Sequence, residues 1–400
     1  MTLDITQISA QIGEMVSRIQ TGNLERAAHL KAALTRLSDP DLNLEALKRK
    51  IEAARTPNWS AAGLVKGFSG RYPAPVAPSE YSALATDGSD IAVDRHQAAR
   101  CYLINIGSVY LHYGRQPFAE LMNTPRLYSS ETDLVISNPG NKHKQQQVEG
   151  SLLDARRAVE ECRKLADLAG ILPLDETLLA MMDGSLVLFG LQDYPDFIKE
   201  EIVDRGFLAA LNTLQTLSLS RQLCLASYIS FPHSDQVVNA LRVAICPQEQ
   251  VDCDESCALG EAACDVLSGV NDRMLFESWL KVGERSELFI NPAQIVEKRY
   301  GAQNQVYFFY LRVEDEIARV EIPAWIANRP ERLELTHALV LDQCRRGQGY
   351  PVALSESHEQ AVVTAADRDQ FWGLVEEALV DEKLPDRTSI KSRSKRTRWV

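Results

Sequence analysis

Two copies of one tripeptide, each closing an apolar run, constrain this chain more than any other feature. Leu84-Ala85-Thr86 leads into Asp87-Gly88-Ser89, and Leu178-Leu179-Ala180-Met181-Met182 leads into Asp183-Gly184-Ser185. Short apolar runs bounded by turn residues read as buried strands. Gly lets the backbone turn sharply after each strand, which presents the preceding Asp at the strand end. If the two strands are neighbours in one sheet, Asp87 and Asp183 converge. Converging carboxylates offer hard oxygen donors to Mg²⁺ or Mn²⁺ and suit metal-assisted cleavage of phosphate esters. Asp-Gly is also a common turn dipeptide, so either copy alone carries little weight.

The rest of the chain supplies a setting for these acids. Residues 1–55 read as helical, with Ile8, Ile12, Met15, Val16 and Ile19 and then Leu30, Leu34, Leu37, Leu47 and Ile51 at helical spacing around a break at Asp39-Pro40. The pattern predicts an amphipathic pair packed on the main body, with a coiled-coil contact to a second copy as the alternative. Residues 56–80, rich in Gly and Pro, read as a linker or surface loop. After Asp87, Ile91-Ala92-Val93 and Cys101 to Leu111 suggest a hairpin, with Gly107 as a bulge and Asp94, Arg95 and His96 in the turn. Arg95 is placed there as a candidate phosphate contact.

Ser137 to Gly150 reads as a polar loop, followed by a helix from Ser151 to Leu168. On that helix Glu161 leans toward the apolar seam of Cys162 and Leu165, and Glu160 lies on another side. Arg157 and Glu161 are also spaced as an ordinary surface ion pair. Beyond Asp183 the chain is expected to resume as a strand over Leu186–Phe189, then a helix over Phe207–Ser220 and a strand over Leu223–Ser230. Val306–Val313 and Ile317–Pro323 read as a hairpin in which Arg319 and Glu321 share a face. They form a surface pair there or, if that face lines a cleft, make Arg319 a phosphate contact. Ser355 is a candidate N-cap that would put His358 in the first turn of a helix, where the dipole favours the neutral ring.

Four cysteines, Cys246, Cys253, Cys257 and Cys264, fall within one stretch with six, three and six intervening residues. That is no standard zinc-finger spacing, and both a Zn or Fe–S site and a set of reduced thiols fit it. The chain ends in a basic tail, residues 381–400, with Arg387, Lys391, Arg393, Lys395, Arg396 and Arg398 and no acid after Asp386. A net charge of −12 argues against broad adhesion to nucleic acid, yet a nuclease needs only local positive charge and bound cations. No apolar stretch reaches membrane-span length, and the polar start Met1-Thr2-Leu3-Asp4 is unlike a signal peptide, so a cytoplasmic protein with reduced thiols is expected.

The order of Asp87-Gly88-Ser89, Asp94-Arg95-His96, Leu103-Ile104-Asn105-Ile106-Gly107, Met182-Asp183-Gly184-Ser185-Leu186, Gly349-Tyr350-Pro351 and Ser357-His358-Glu359 resembles the NurA family of DNA-repair nucleases. The likeness runs from about Ala61 to Leu379. It implies an α/β fold with an RNase H-like mixed sheet flanked by helices over residues 81–380, carrying the Cys-rich insertion 246–264. It also implies Mn²⁺-dependent DNA cleavage, with Mg²⁺ the alternative ion, as a 5′–3′ exonuclease on DNA ends and a single-strand endonuclease. A homodimer and a HerA-type hexameric ATPase that feeds DNA during end resection are the implied partners. Asp87, Glu161, Asp183 and His358 fall on the family's catalytic and metal-holding positions, with Glu160 as the fallback for the helix acid. Two other functions remain open at this point: a catalytically silent scaffold for a motor ATPase, and an RNase H-like nuclease on RNA or recombination intermediates.

Overall fold

The computed structural model describes residues 5–40, 43–56, 59–97, 99–257 and 262–384. The cations of the basic tail, from Arg387 onward, lie outside the described residues. Helix α1 spans Ile5–Leu37 and α2 spans Leu44–Ala53, the latter capped by Asn43, whose Oδ1 accepts from the Ala46 amide at 3.1 Å. Leu37 and Leu47 are buried with Val237, Val238 and Leu241 of the helix Gln236–Ile245, and Leu30, Leu34 and Ile51 pack against the same core. The first half of α1 differs from the expected packing. Ile5, Ile12, Met15, Val16 and Ile19 stay exposed, so only the second half of the apolar stripe is buried in this core.

The chain divides into two units with interleaved segments. One holds Met1–Ala74, Ile229–Pro292 and Tyr307–Val320; the other holds Pro75–Tyr228, Ala293–Val306 and Glu321–Val400. Sequence reading treated 81–380 as one body because nothing in local composition marks where a distant segment will pack. In the first unit the supposed linker 56–80 forms two short strands. Gly63–Leu64 pairs with Phe289–Ile290, and Arg71–Pro73 pairs with Glu284–Ser286. Ala62, Leu64 and Phe68 anchor it in the core, too sparsely to show a period in sequence.

In the second unit β1 (Tyr81–Ile91), β2 (Tyr102–Tyr113) and β3 (Phe118–Tyr128) form an antiparallel meander. Helix α3 (Ser151–Ile171) then crosses over to β4 (Leu178–Asp183), which pairs parallel to β1 and to β5 (Leu223–Ile229). The strand order β5-β4-β1-β2-β3 is the arrangement of an RNase H-like core, as expected. Leu178 to Met182 are all buried, as a central parallel strand requires. Ser137 to Gly150 is not a plain loop, because Val135–Asn138 and Asn141–Gln147 pair as a hairpin. Leu186–Phe189 does not resume a strand; the chain turns there toward a short 3₁₀ segment at Phe189–Leu191. No helix among the described residues is long and apolar enough to cross a membrane.

Helix α4 (Val352–Ala361) lies against β1 and β2. Gly107 is no bulge, since the β1–β2 register runs through it unbroken. Its hydrogen makes room for α4: a Cβ there would stand 2.2 Å from the Ser357 carbonyl oxygen and 2.4 Å from the Ala361 nitrogen. Gly107→Ala should therefore cost about 2–3 kcal/mol by overpacking against backbone that cannot rotate away. Urea denaturation of the two proteins measures it, and an unchanged midpoint would show that α4 yields freely.

Candidate active site

The two Asp-Gly steps present their acids side by side for different reasons. Parallel register sets Thr86 against Met182, which brings Asp87 and Asp183 to the same level of neighbouring strands. Each carboxylate accepts from the following glycine amide, Asp87 Oδ1 at 2.8 Å and Asp183 Oδ1 at 3.0 Å. At Asp183 the strand ends, and Gly184 turns with φ +78°, a left-handed conformation that favours glycine. At Asp87 the strand does not end, and β1 continues to Ile91. Gly88 is small because α3 comes close: a Cβ there would stand 2.5 Å from Glu161 Oε1 and 2.7 Å from Arg157 Cγ.

Glu161 is the helix acid that faces these aspartates. It is 7% exposed, and Thr86 Oγ1 donates to its backbone carbonyl at 3.1 Å, fixing that turn of α3 over β1. Arg157 Nε lies 3.4 Å from Glu161 Oε1, and the same guanidinium bonds Asp90 at 3.0 Å. Glu160 points elsewhere, to Arg156 at 3.4 Å and Arg163 at 3.1 Å. Burial, and then the charge of Asp87, push the Glu161 carboxyl up to about 8 against the pull of Arg157. Asp183 is also raised, first by loss of water around its carboxyl and then by Asp87, with the Tyr350 hydrogen bond opposing.

His358 joins the group through Asp87, its Nδ1 lying 2.7 Å from Oδ2. A carboxylate only accepts, so Nδ1 carries the hydrogen and Nε2 is left for a proton or a ligand. The expectation that His358 opens a helix is wrong: Pro351 is the N-cap of α4, Ser355 lies inside it, and His358 sits in its last turn. The N-terminal dipole argument therefore does not apply. What positions the ring is the end of α4, held by Ser89 Oγ to the Ala361 carbonyl at 2.5 Å and by Asn105 Nδ2 to the same oxygen at 2.9 Å.

Two residues at the site escaped sequence reasoning. Tyr350 donates to Asp183 Oδ1 at 3.1 Å, with its ring edge-on to Tyr228 at 5.4 Å. Its signal was the Gly-Tyr-Pro step before α4. Glu321, assigned to a surface pair, is fully buried and accepts from Ser185 Oγ at 2.7 Å and the Leu186 amide at 2.9 Å, fixing the chain just after Asp183. Arg319 is no phosphate contact. It is 3% exposed, its guanidinium lies 3.6 Å over the Phe308 ring and it donates to Gln236 at 2.8 Å. Burial of both faces of that strand defeated the inside-outside alternation. Arg95 stays exposed in the loop after β1.

Among the described residues no three His, Cys, Asp or Glu side chains are drawn together tightly enough to hold a metal ion. The chemistry of the donor set nevertheless fits a hard divalent cation. The charge of Asp87 on β1 raises the proton affinity of Glu161 on α3 and of Asp183 on β4, and a cation relieves that repulsion. The sign of the pH effect follows for metal-free protein. Glu161 keeps its proton to about pH 8 when folded but only to its ordinary 4.5 when unfolded. Its contribution to stability is therefore complete below that lower value and is lost as pH rises through the upper one. In EDTA, the stability of Glu161→Gln relative to the parent should rise from pH 5 to pH 9; denaturation at both pH values checks this, and a constant difference would refute it.

Residues 81–363 match the NurA domain, more than half of the chain, over a span that contains Asp87, Glu161, Asp183 and His358. No curated protein sequence gave a match. Among solved structures, the NurA nuclease from Sulfolobus solfataricus aligns over 96% of this chain and 98% of its own, at 12% identity and TM-score 0.49. A type 1 RNase H, LC9-RNase H1, aligns over 42% of this chain and 71% of its own, at 11% identity and TM-score 0.20. On the strength of the domain match, the chain belongs to the NurA family.

Proposed function

We propose that this protein is a metal-dependent DNA nuclease whose centre is Asp87, Glu161, Asp183 and His358. The observation that carries the reading is the approach of three carboxylates from three different elements, with a histidine bonded to one of them. Asp87, Glu161 and Asp183, with His358 Nε2, would hold one or two divalent ions, Mn²⁺ first and Mg²⁺ as the alternative. Such ions supply Lewis-acid charge at the scissile phosphate. The chain's own residues do the positioning. Arg157 holds the Glu161 carboxylate, Tyr350 holds that of Asp183, and Asp87 fixes the His358 ring, whose Nε2 would bind an ion or, where the carboxylates alone hold the ion, relay a proton. The net charge of −12 places the burden of binding DNA on this local cluster of cations and not on the surface as a whole.

Family membership supports the finer reading. On that reading the enzyme degrades DNA ends 5′–3′, cuts single strands internally, works as a homodimer and receives DNA from a HerA-type hexameric translocase during end resection.

End-labelled single- and double-stranded DNA, incubated with Mn²⁺, Mg²⁺ or EDTA, tests this directly, with and without the translocase. Cleavage should require the metal and release label from 5′ ends. Asp183→Ala should lower it by about 10³-fold or more, the scale of several kcal/mol of lost transition-state stabilisation. Cleavage that survives EDTA, or a folded Asp183→Ala protein as active as its parent, would overturn the assignment. A DNA-silent enzyme that cuts RNA would replace the substrate.

A further inference from the structure

The eight cysteines fall into two populations. Cys101, Cys162, Cys224 and Cys344 are buried, as small apolar residues of the core commonly are. Cys246, Cys253, Cys257 and Cys264 are each only partly buried, free of disulfides, and drawn from one short stretch. Local structure gathers them. Cys246 follows the helix Gln236–Ile245 and its carbonyl accepts from Lys50 Nζ of α2 at 2.5 Å. Cys253 opens a single helical turn that Cys257 closes, the Cys257 amide donating to the Cys253 carbonyl at 3.2 Å. The Cys253 amide bonds the Arg55 carbonyl just beyond α2 at 3.2 Å. Cys264 lies in the 3₁₀ turn Ala263–Leu267, which packs on the helix that ends at Cys246.

Cys246 and Cys253 both pack against the core that holds Leu47, Val243 and Val251. Backbone pairing joins the stretch to Arg55, whose amide donates to the Val251 carbonyl at 2.8 Å. Between Ile245 and Ala263, Val251 is the fully buried apolar side chain among the described residues, and Glu249, Asp252, Asp254 and Glu255 make the sequence acidic. With so small a core of its own, the stretch is one that a bound metal would stabilise.

We propose that Cys246, Cys253, Cys257 and Cys264 form a tetrathiolate metal centre that pins this stretch to α2 and to the helix Gln236–Ile245. Four soft sulfur donors select zinc or an iron–sulfur cluster over the hard ions suited to the carboxylate site. For zinc the balance is simple: the ion replaces four thiol protons, and Lys50 and Arg242 lie on hand to offset the resulting charge of −2. Among the described residues no three of these side chains stand close enough to hold an ion, so a bound ion would have to draw them together.

The test uses full-length protein purified without oxygen, with metal and sulfide analysis, a visible spectrum and a count of reactive thiols. Stoichiometric zinc, or iron with sulfide and a visible thiolate-to-iron band, supports the centre and tells the two fillings apart. Under native conditions the four thiols should resist a thiol reagent until a strong chelator or a mercurial is added. Cys253→Ser with Cys257→Ser should abolish the bound metal, whereas Cys101→Ala and Asp183→Ala should each retain it. The Asp183 variant separates this site from the nuclease reading, whose failure would leave the thiol result untouched. No stoichiometric metal as isolated or after adding zinc, a disulfide among the four, or metal retained in the double variant would each overturn the proposal.

Discussion

The approach of Glu161 to Asp87 depends on one missing methyl group. Were Gly88 any other residue, its Cβ would stand 2.5 Å from Glu161 Oε1 and 2.7 Å from Arg157 Cγ, and both side chains would have to shift. Its absence lets α3 settle onto β1 closely enough for Thr86 to bond the Glu161 carbonyl and for Glu161 to share space with Asp87. The closeness has a cost: three carboxylates crowd together, and the most buried of them keeps its proton near neutral pH. Crowding that raises the proton affinity of a buried carboxylate is a feature that clusters at functional sites.

The opposite wall obeys the same rule. Gly107 on β2 admits the backbone of α4, and Ser89 and Asn105 then fasten the last turn of that helix. His358 therefore meets Asp87 because two strands and a helix end are locked together, not because the imidazole seeks its own partner. Ser357, beside it, is fully buried and its hydroxyl donates to the Leu354 carbonyl of its own helix at 3.0 Å, so a small side chain is what that position demands.

How much of this was legible in the sequence varied with the physics. The convergence of Asp87 and Asp183 could be read because a continuous apolar run marks a central parallel strand, and a parallel neighbour sets its acid level with the first. The choice of Glu161 over Glu160 could be read from its distance to Leu165 along the helix. The start of α4 could not, because Ser355 looks like a cap while Pro351 serves as one. Glu321 and Arg319 were misjudged for a related reason. A polar residue in a strand signals a solvent face only when one face is wet, and here both residues are buried with dedicated partners. Tyr350 left no periodic trace at all, since its role is a single hydroxyl aimed at one oxygen.

The interleaving of segments bears on how the molecule comes into being. Leu37 and Leu47 share a core with Val237, Val238, Phe308 and Ile317, partners some two hundred to two hundred and eighty residues downstream. During synthesis the amino-terminal helices emerge with those leucines bare, and the surfaces that will cover them follow roughly ten seconds to a minute later at ordinary elongation rates. Contacts of such long range also make a slow nucleus. Over that interval the newborn chain exposes the kind of apolar surface that chaperones shield, a demand set by the order of its segments and not by the stability of the finished fold.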